Sequence, residues 1–320
     1  MKKIFKTAIV VSENFPEDIK VEVIDISEED SSREITRIDS SAVLFDKSIR
    51  YPEGFPNLKQ NIDGNILDKS SFARLSPYEN SDQYLVDVVV NAFFSLLPSI
   101  AERKGLSLLC FDTYFFEKIL RKNIISKSFF NFAKKQNIER KNIWLIPINH
   151  INIEHWSLML VVRKKKAIVY FDSLHFNPSV LIINAICEFI QRTLDEKWTN
   201  WHLYSPKDIP NQGTSGNCGV HVISWALHVA TCCDYKFIEE DMNTARRSIA
   251  VILNNAQSIM NKNCSCKHEV KKEKVEKRTK TEDVKVDASI PYLQPSIKVP
   301  FGFDSTFQFC KKLADLERDS

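Results

Sequence analysis

An α+β fold, a small mixed sheet packed by helices, is what this sequence predicts, and three features predict it. Apolar residues recur at helical spacing on both sides of one block of strand-like runs. That block, from Trp144 to Ser173, holds three extended segments joined by short polar turns. A glycine-rich turn, Pro210 to Gly219, then leads straight into a further helical pattern.

Taken in order, the elements fall into three regions. Residues 1 to about 70 alternate apolar and polar positions only in patches, as in Lys20 to Ile26, between acidic and serine-rich stretches. That predicts a loosely structured extension with a strand or two. From 71 to 261 the pattern tightens into one domain. Leu85, Val88, Val89, Ala92, Phe93 and Leu96 mark an apolar helical face, with Ser81 or Asp82 available as its cap. Phe111 to Lys135 carries two phenylalanine-rich helical patterns. Trp144–Asn149, Glu154–Val162 and Ala167–Ser173 read as strands, with Lys164-Lys165-Lys166 as a solvated turn between the second and third. A helix from Pro178 to Trp198 and a short strand at Trp201–Tyr204 follow. Cys218, Val222, Trp225, Ala226 and Val229 then share one face of a helix. In a last helix, Met242, Ala245, Ile249, Leu253, Ala256 and Met260 lie on one side. From 262 onward Lys, Arg and Glu mix without apolar period, which predicts a charged, disordered tail to 320. Phe301, Phe303, Phe307 and Phe309 offer a small docking segment within it.

Composition narrows the function. A 43% apolar content is enough for a packed core across 320 residues. The net charge of +3, from 44 basic and 41 acidic residues, is too balanced to argue for a nucleic-acid or membrane partner. No apolar run approaches the ~20 residues of a membrane helix. The stretch Met1–Val11 mimics a signal peptide only weakly, because Lys6 breaks it, so a nuclear or cytoplasmic chain with reduced thiols is expected. Cys264-Ser265-Cys266-Lys267-His268 is spaced too tightly for a usual zinc site and lacks a fourth ligand. The Lys/Arg run from Lys271 to Lys280 is interrupted by glutamates and reads as a solvated segment. No phosphate-binding glycine loop or dinucleotide fingerprint is present, so neither cofactor nor metal is expected. The chain reads as a monomer.

The chemistry concentrates at Cys218. Of only seven glycines, three fall between 213 and 219, where the backbone must turn sharply or approach a neighbour closely. Cys218 then opens a helix, where unpaired amides and the helix dipole favour a thiolate. A thiolate needs a base, and the base an orienting group. His155 opens one strand and Asp172 ends its antiparallel neighbour, so the two lie at the same end of the sheet. Gln212 is an amide donor facing the same turn. Simpler readings compete: a cysteine in an apolar helix is more often filler, as for Cys187, Cys232 and Cys233. A strand-end Asp-Ser is commonly a turn former, and Trp156 and Tyr84 could be ordinary core aromatics. His150, five residues before His155, is a second candidate base. A glycine-rich turn with His and Asp partners distinguishes Cys218 from the other cysteines.

The pattern His155-Trp156, then Tyr170-Phe171-Asp172-Ser173-Leu174, then Gln212-x5-Cys218-Gly219 resembles the ubiquitin-like-protein-specific cysteine proteases, also called SUMO or sentrin-specific proteases. The resemblance runs from about Leu75 to Met260 and implies a papain-like cysteine protease architecture. It implies Cys218 as nucleophile, His155 as general base, Asp172 as its partner and Gln212 as the oxyanion donor. Tyr84-Leu85-Val86-Asp87 resembles the family's Trp-Leu-Asn-Asp segment, which implies Tyr84 and Trp156 as contacts for the substrate's terminal glycines. One departure is Asn217, where the family has aspartate before the nucleophile. The implied reaction is hydrolysis after the C-terminal glycine of a ubiquitin-like modifier, SUMO first, with NEDD8 or ubiquitin as alternatives. An effector-type acetyltransferase on a similar scaffold, or an inactive modifier-binding module, are the rival classes.

Overall fold

The computed structural model describes residues 44–77, 84–121, 137–195, 201–232 and 237–261. An antiparallel hairpin, β1 (Gln60–Ile62) and β2 (Asn65–Leu67), precedes a short helix α1 (Lys69–Ala73) capped by Asp68, whose carboxylate accepts from the Ser71 amide at 3.0 Å. Leu44, Phe45, Ile62, Leu67, Phe72 and Leu75 are buried in the same core as the helices that follow. The packed unit therefore reaches back to Leu44, well before position 71; six apolar side chains spread over loops, three-residue strands and a five-residue helix leave no period to read. The strand expected at Lys20–Ile26 and the tail from 262 lie outside the described residues.

Helix α2 (Asp87–Glu102) buries Val89, Val90, Ala92, Phe93, Leu96, Leu97 and Ile100. Its N-cap is Val86, with no side-chain cap bond; Ser81 and Asp82 lie outside the described residues. β3 (Leu108–Cys110) and α3 (Thr113–Arg121) come next. The second helix expected before Lys135 falls largely outside the described residues. β4 (Ile143–His150), β5 (His155–Val162) and β6 (Ala167–Phe171) form the antiparallel centre of a five-stranded sheet. β3 pairs parallel with β4, and β7 (His202–Tyr204) parallel with β6, so the order is β3-β4-β5-β6-β7 and the sheet is mixed.

The strands are buried on both faces, which is why they read as continuous apolar runs. Leu145, Leu158, Leu160, Val169 and Phe171 point to a core shared with α2 and with α5 (Cys218–Thr231), where Val222, Ile223 and Ala226 are buried. Trp144, Ile146, Met159, Val161, Ile168 and Tyr170 point the other way, to α3 and α4 (Val180–Leu194). The alternation is the two-residue period of a strand. Ser179 caps α4, its hydroxyl accepting from the Ile182 amide at 3.3 Å, and Asp195 ends it in the left-handed region. The helix therefore starts two residues after Pro178. The last apolar face is divided between α6 (Met242–Asn254) and α7 (Ala256–Asn261), which break at Asn255.

Among the described residues, no helix is long and apolar enough to cross a membrane, and no cluster of His, Cys, Asp and Glu is arranged to hold a metal ion.

Candidate active site

Strand β6 stops at Phe171 because the next residue turns the chain with its own side chain. Asp172 accepts from the Leu174 amide at 2.8 Å through Oδ1, and its carbonyl accepts from the His175 amide at 2.9 Å. Asp172 is thus a turn former, and the same carboxylate has a second use. The register that pairs Leu158 with Phe171 brings the start of β5 alongside this turn, and His155 Nε2 lies 3.0 Å from Asp172 Oδ1. The carboxylate can only accept, so Nε2 carries the proton and the other ring nitrogen is left for a different partner. Cys218 lies near this imidazole and, with Asp172, favours its protonated form. The sheet end and the start of α5 therefore converge on one imidazole.

All three side chains are withdrawn from water: Cys218 is 0% exposed, His155 and Asp172 each 2%. Burial works against the imidazolium, but the Asp172 hydrogen bond, then Cys218, favour it more, and the pKa of His155 is raised to about 9. For Asp172, burial pushes the carboxyl up. The bonds from His155, Leu174 and Tyr170 outweigh it and hold the group below the usual carboxylate range. The other described cysteines differ in kind. Burial alone pushes the Cys187 thiol up to about 11 and raises that of Cys110, leaving both inert near neutral pH. Cys232 closes α5 as its C-cap, and Cys233 lies outside the described residues.

His150 has another role. Its Nε2 lies 2.8 Å from Ser157 Oγ and 3.3 Å from the Tyr170 hydroxyl, and its ring stacks on His155 with centroids 5.7 Å apart. Burial first, and then the charge on His155, hold its pKa down. Tyr170 in turn donates to Asp172 Oδ2 at 3.2 Å. Tyr170 was not singled out from the sequence, although strand alternation could have found it, since residues two apart share a face.

The glycine-rich turn delivers the remaining groups. Gly213 sits at φ +58°, where a side chain would be strained. Gln212 Nε2 donates to the Ser215 carbonyl at 2.7 Å, which fixes the orientation of its amide, because a carbonyl cannot donate. Its Oε1 is held by the Ser173 hydroxyl. One proton of the amide nitrogen is then left for another acceptor. Asn217 stands at the N-cap of α5 but makes no side-chain cap bond there. The amides of the first turn, with that of Cys218 among them, so keep their donors for an incoming oxygen.

Gly219 explains the close approach. A Cβ built there would lie 2.9 Å from Leu85 Cβ. Leu85 is itself tied to β5, its carbonyl accepting from Trp156 Nε1 at 3.0 Å. Trp156 is 4% exposed and part of the core, and Tyr84, next to Leu85, packs on the same cluster half-buried. Gly219→Ala is expected to cost about 1–3 kcal/mol of stability by overpacking. The strain falls on the residue after Cys218, so turnover should drop more than the melting temperature implies. Thermal unfolding and turnover measured on one preparation check this.

The fold has known counterparts. The family model described as the Ulp1 protease family, C-terminal catalytic domain, matches residues 83–258. The chain is 27% identical over 192 residues to sentrin-specific protease 5 of Mus musculus, covering 58% of this chain and 24% of that protein. To sentrin-specific protease 3 of Homo sapiens it is 26% identical over 170 residues, covering 52% and 28%. The chain thus spans about a quarter of the length of these curated relatives. Among solved structures, it is similar to the C-terminal Ulp1 protease domain in complex with Smt3, the yeast ortholog of SUMO. The TM-score is 0.52 at 21% identity, covering 64% of this chain and 91% of that one. It is also similar to the SUMO protease Ulp1 with its catalytic cysteine oxidized to a sulfenic acid, with TM-score 0.53, 21% identity, and coverage of 62% and 88%. At such identities the likeness shows the fold.

Proposed function

The chain belongs to the Ulp1 protease family, and from that premise we propose that it is a cysteine isopeptidase cleaving after the C-terminal glycine of a ubiquitin-like modifier, SUMO before NEDD8 or ubiquitin. One observation carries the reading: His155, held at 3.0 Å by Asp172, lies near a fully buried cysteine at the first position of a helix, and both favour its protonated form. A binding module needs none of these groups. The relatives named for SUMO or sentrin support the choice of modifier. A nuclear or cytoplasmic residence goes with that substrate.

In this reading His155 takes the Cys218 proton, giving a thiolate–imidazolium pair. The thiolate attacks the carbonyl carbon of the Gly-Lys isopeptide bond and forms a C–S bond. The resulting oxyanion accepts from the second Gln212 amide proton and from the Cys218 backbone amide. As the C–N bond breaks, His155 gives its proton to the leaving lysine amine. Water then attacks the thioester with His155 as base, releasing the modifier's carboxylate and restoring the thiol. Asp172 keeps the ring in the tautomer and orientation both steps need.

The near-total burial of Cys218 supports a narrow approach, with Trp156 and Tyr84 beside it. Glycine has no side chain, so an extended Gly-Gly tail can enter where a bulkier residue would clash. Replacing the modifier's penultimate glycine by valine should cut cleavage at least 100-fold while barely weakening its binding to the Cys218→Ala protein. Trp156→Ala should lower activity as well. Efficient cleavage of the valine-bearing modifier would rule out the channel whatever the fate of the triad. The function itself is tested by C-terminal activity probes of SUMO, NEDD8 and ubiquitin. Labelling of Cys218 by the SUMO probe is expected, and labelling by none of the three would overturn the proposal.

A further inference from the structure

Beneath the nucleophile turn lies a buried guanidinium that grips its backbone and the Asn217 side chain. Arg246 is fully buried. It donates to Asn217 Oδ1 through Nε at 2.9 Å and Nη2 at 2.8 Å, and to the carbonyls of Gly216 at 3.2 Å and Arg74 at 2.5 Å. A carboxylate enters through the far side of Asn217, whose Nδ2 donates to Glu239 Oε1 at 2.6 Å. The same oxygen accepts from Ser215 Oγ at 2.6 Å, and Oε2 faces His221 Nε2 at 2.7 Å. One side chain, from the 3-10 turn Glu239–Asp241 just before α6, therefore holds three residues of the glycine-rich turn and first helical turn. Ser215 is also the residue whose carbonyl accepts from Gln212.

We propose that Glu239 is a positioning residue of the active site: through Ser215 it sets the Gln212 amide, and through Asn217 it sets the backbone entering Cys218. The inference rests on the reading of Cys218 and Gln212 given above. Its physical content is acceptor count. An ionised carboxylate accepts from Asn217, Ser215 and His221 together, whereas an amide has one oxygen and an N–H₂ that must face a donor. The bonds from these three partners outweigh burial and keep the Glu239 carboxyl below its usual range, in line with that use. Asn217 is then matched to Glu239, since a carboxylate at 217 would meet the Glu239 oxygen at 2.6 Å and repel it.

The test exchanges amide and carboxylate in the full chain: Glu239→Gln, Asn217→Asp and the double variant. Four quantities are read, namely kcat and KM on a SUMO–peptide fusion, the rate of Cys218 alkylation by iodoacetamide, and the melting temperature. Each single variant should lose at least tenfold in kcat with KM within threefold. The double variant should recover to within threefold of wild type. In it, the new amide N–H₂ donates to the new carboxylate beside Arg246 and to the Ser215 hydroxyl, while its oxygen still faces His221. Full activity in Glu239→Gln, or a double variant no better than the worse single, would overturn the proposal. If Glu239→Gln does not fold, the double variant alone decides by the same threshold. A wild-type chain inert toward the fusion and toward every modifier probe would instead remove the proposed function. In that case the alkylation rates of the variants still report whether Glu239 positions Cys218.

Discussion

Cys218→Ser is expected to abolish turnover, by four orders of magnitude or more on the scale of nucleophile knockouts in a triad enzyme, roughly 10⁶ in kcat. The reason is that an imidazole base can ionise a thiol but not a hydroxyl. A hydroxyl in the same place has a far higher pKa and stays protonated beside an imidazole. Substrate binding should survive, since the modifier's folded body makes contacts that the sulfur does not. Steady-state cleavage and a pull-down of the intact conjugate separate the two. Near wild-type cleavage by the serine variant would remove the mechanism entirely. Cys187→Ala makes the useful control, because that thiol is buried in the opposite core and held protonated. It should change stability more than rate.

The second large effect belongs to the His155–Asp172 pair. Asp172→Asn should leave binding largely intact and cut kcat by on the order of 10²–10⁴-fold, as loss of the orienting acid does in the serine triad. A pH profile makes the assignment sharper. With His155 raised to about 9, its imidazolium persists through neutral pH and is lost as pH climbs through about 9. The alkaline fall of kcat/KM is therefore expected near pH 9. In Asp172→Asn it should move to lower pH, because the hydrogen bond that most favours the imidazolium is gone. Stability follows with matching sign. The pair's contribution through His155 is fully present below the unfolded-state value of about 6.5 and fades as pH rises through about 9. Its contribution through Asp172, whose folded value is depressed, is present above the ordinary carboxylate range and is lost as pH falls through the folded value. His155→Ala should match the loss of Cys218, and His150→Ala should not. The reverse result would transfer the base to His150.

Much of this site is legible from residues alone, for a physical reason. Cys218, His155 and Asp172 each sit where a regular element begins or ends, Gln212 lies in the glycine-rich turn, and such places carry punctuation: a glycine, an Asp-Ser, a strand start. The strands from Ile143 to Phe171 are legible too, since burial on both faces leaves unbroken apolar runs. What escapes is side-chain bonding across distant segments. Nothing near Glu239 or Arg246 in the chain says that they meet at Asn217, which precedes them by 22 and 29 positions. The packing of Leu44 to Leu75 escapes likewise, because short strands of three residues carry too little period to read. Asn217, a departure from the family pattern on the page of residues, becomes intelligible only beside Glu239.

The contacts that close the fold run between its two extremities. Gln60 donates to the Asn254 carbonyl at 3.0 Å, 194 positions away, and Arg103 to that of Ile259 at 2.6 Å. Arg246 reaches back to Arg74 across 172 positions. Such separations slow folding, because the loop must close before the contact rewards it. They also mean that a growing polypeptide on the ribosome carries His155, Asp172 and Cys218 before α6 has emerged. Until α6 emerges, no guanidinium clamps the turn before Cys218, and the carbonyl at Arg74 waits for its donor. Under the proposed function, the turn around Cys218 is therefore completed only at the end of synthesis of the domain.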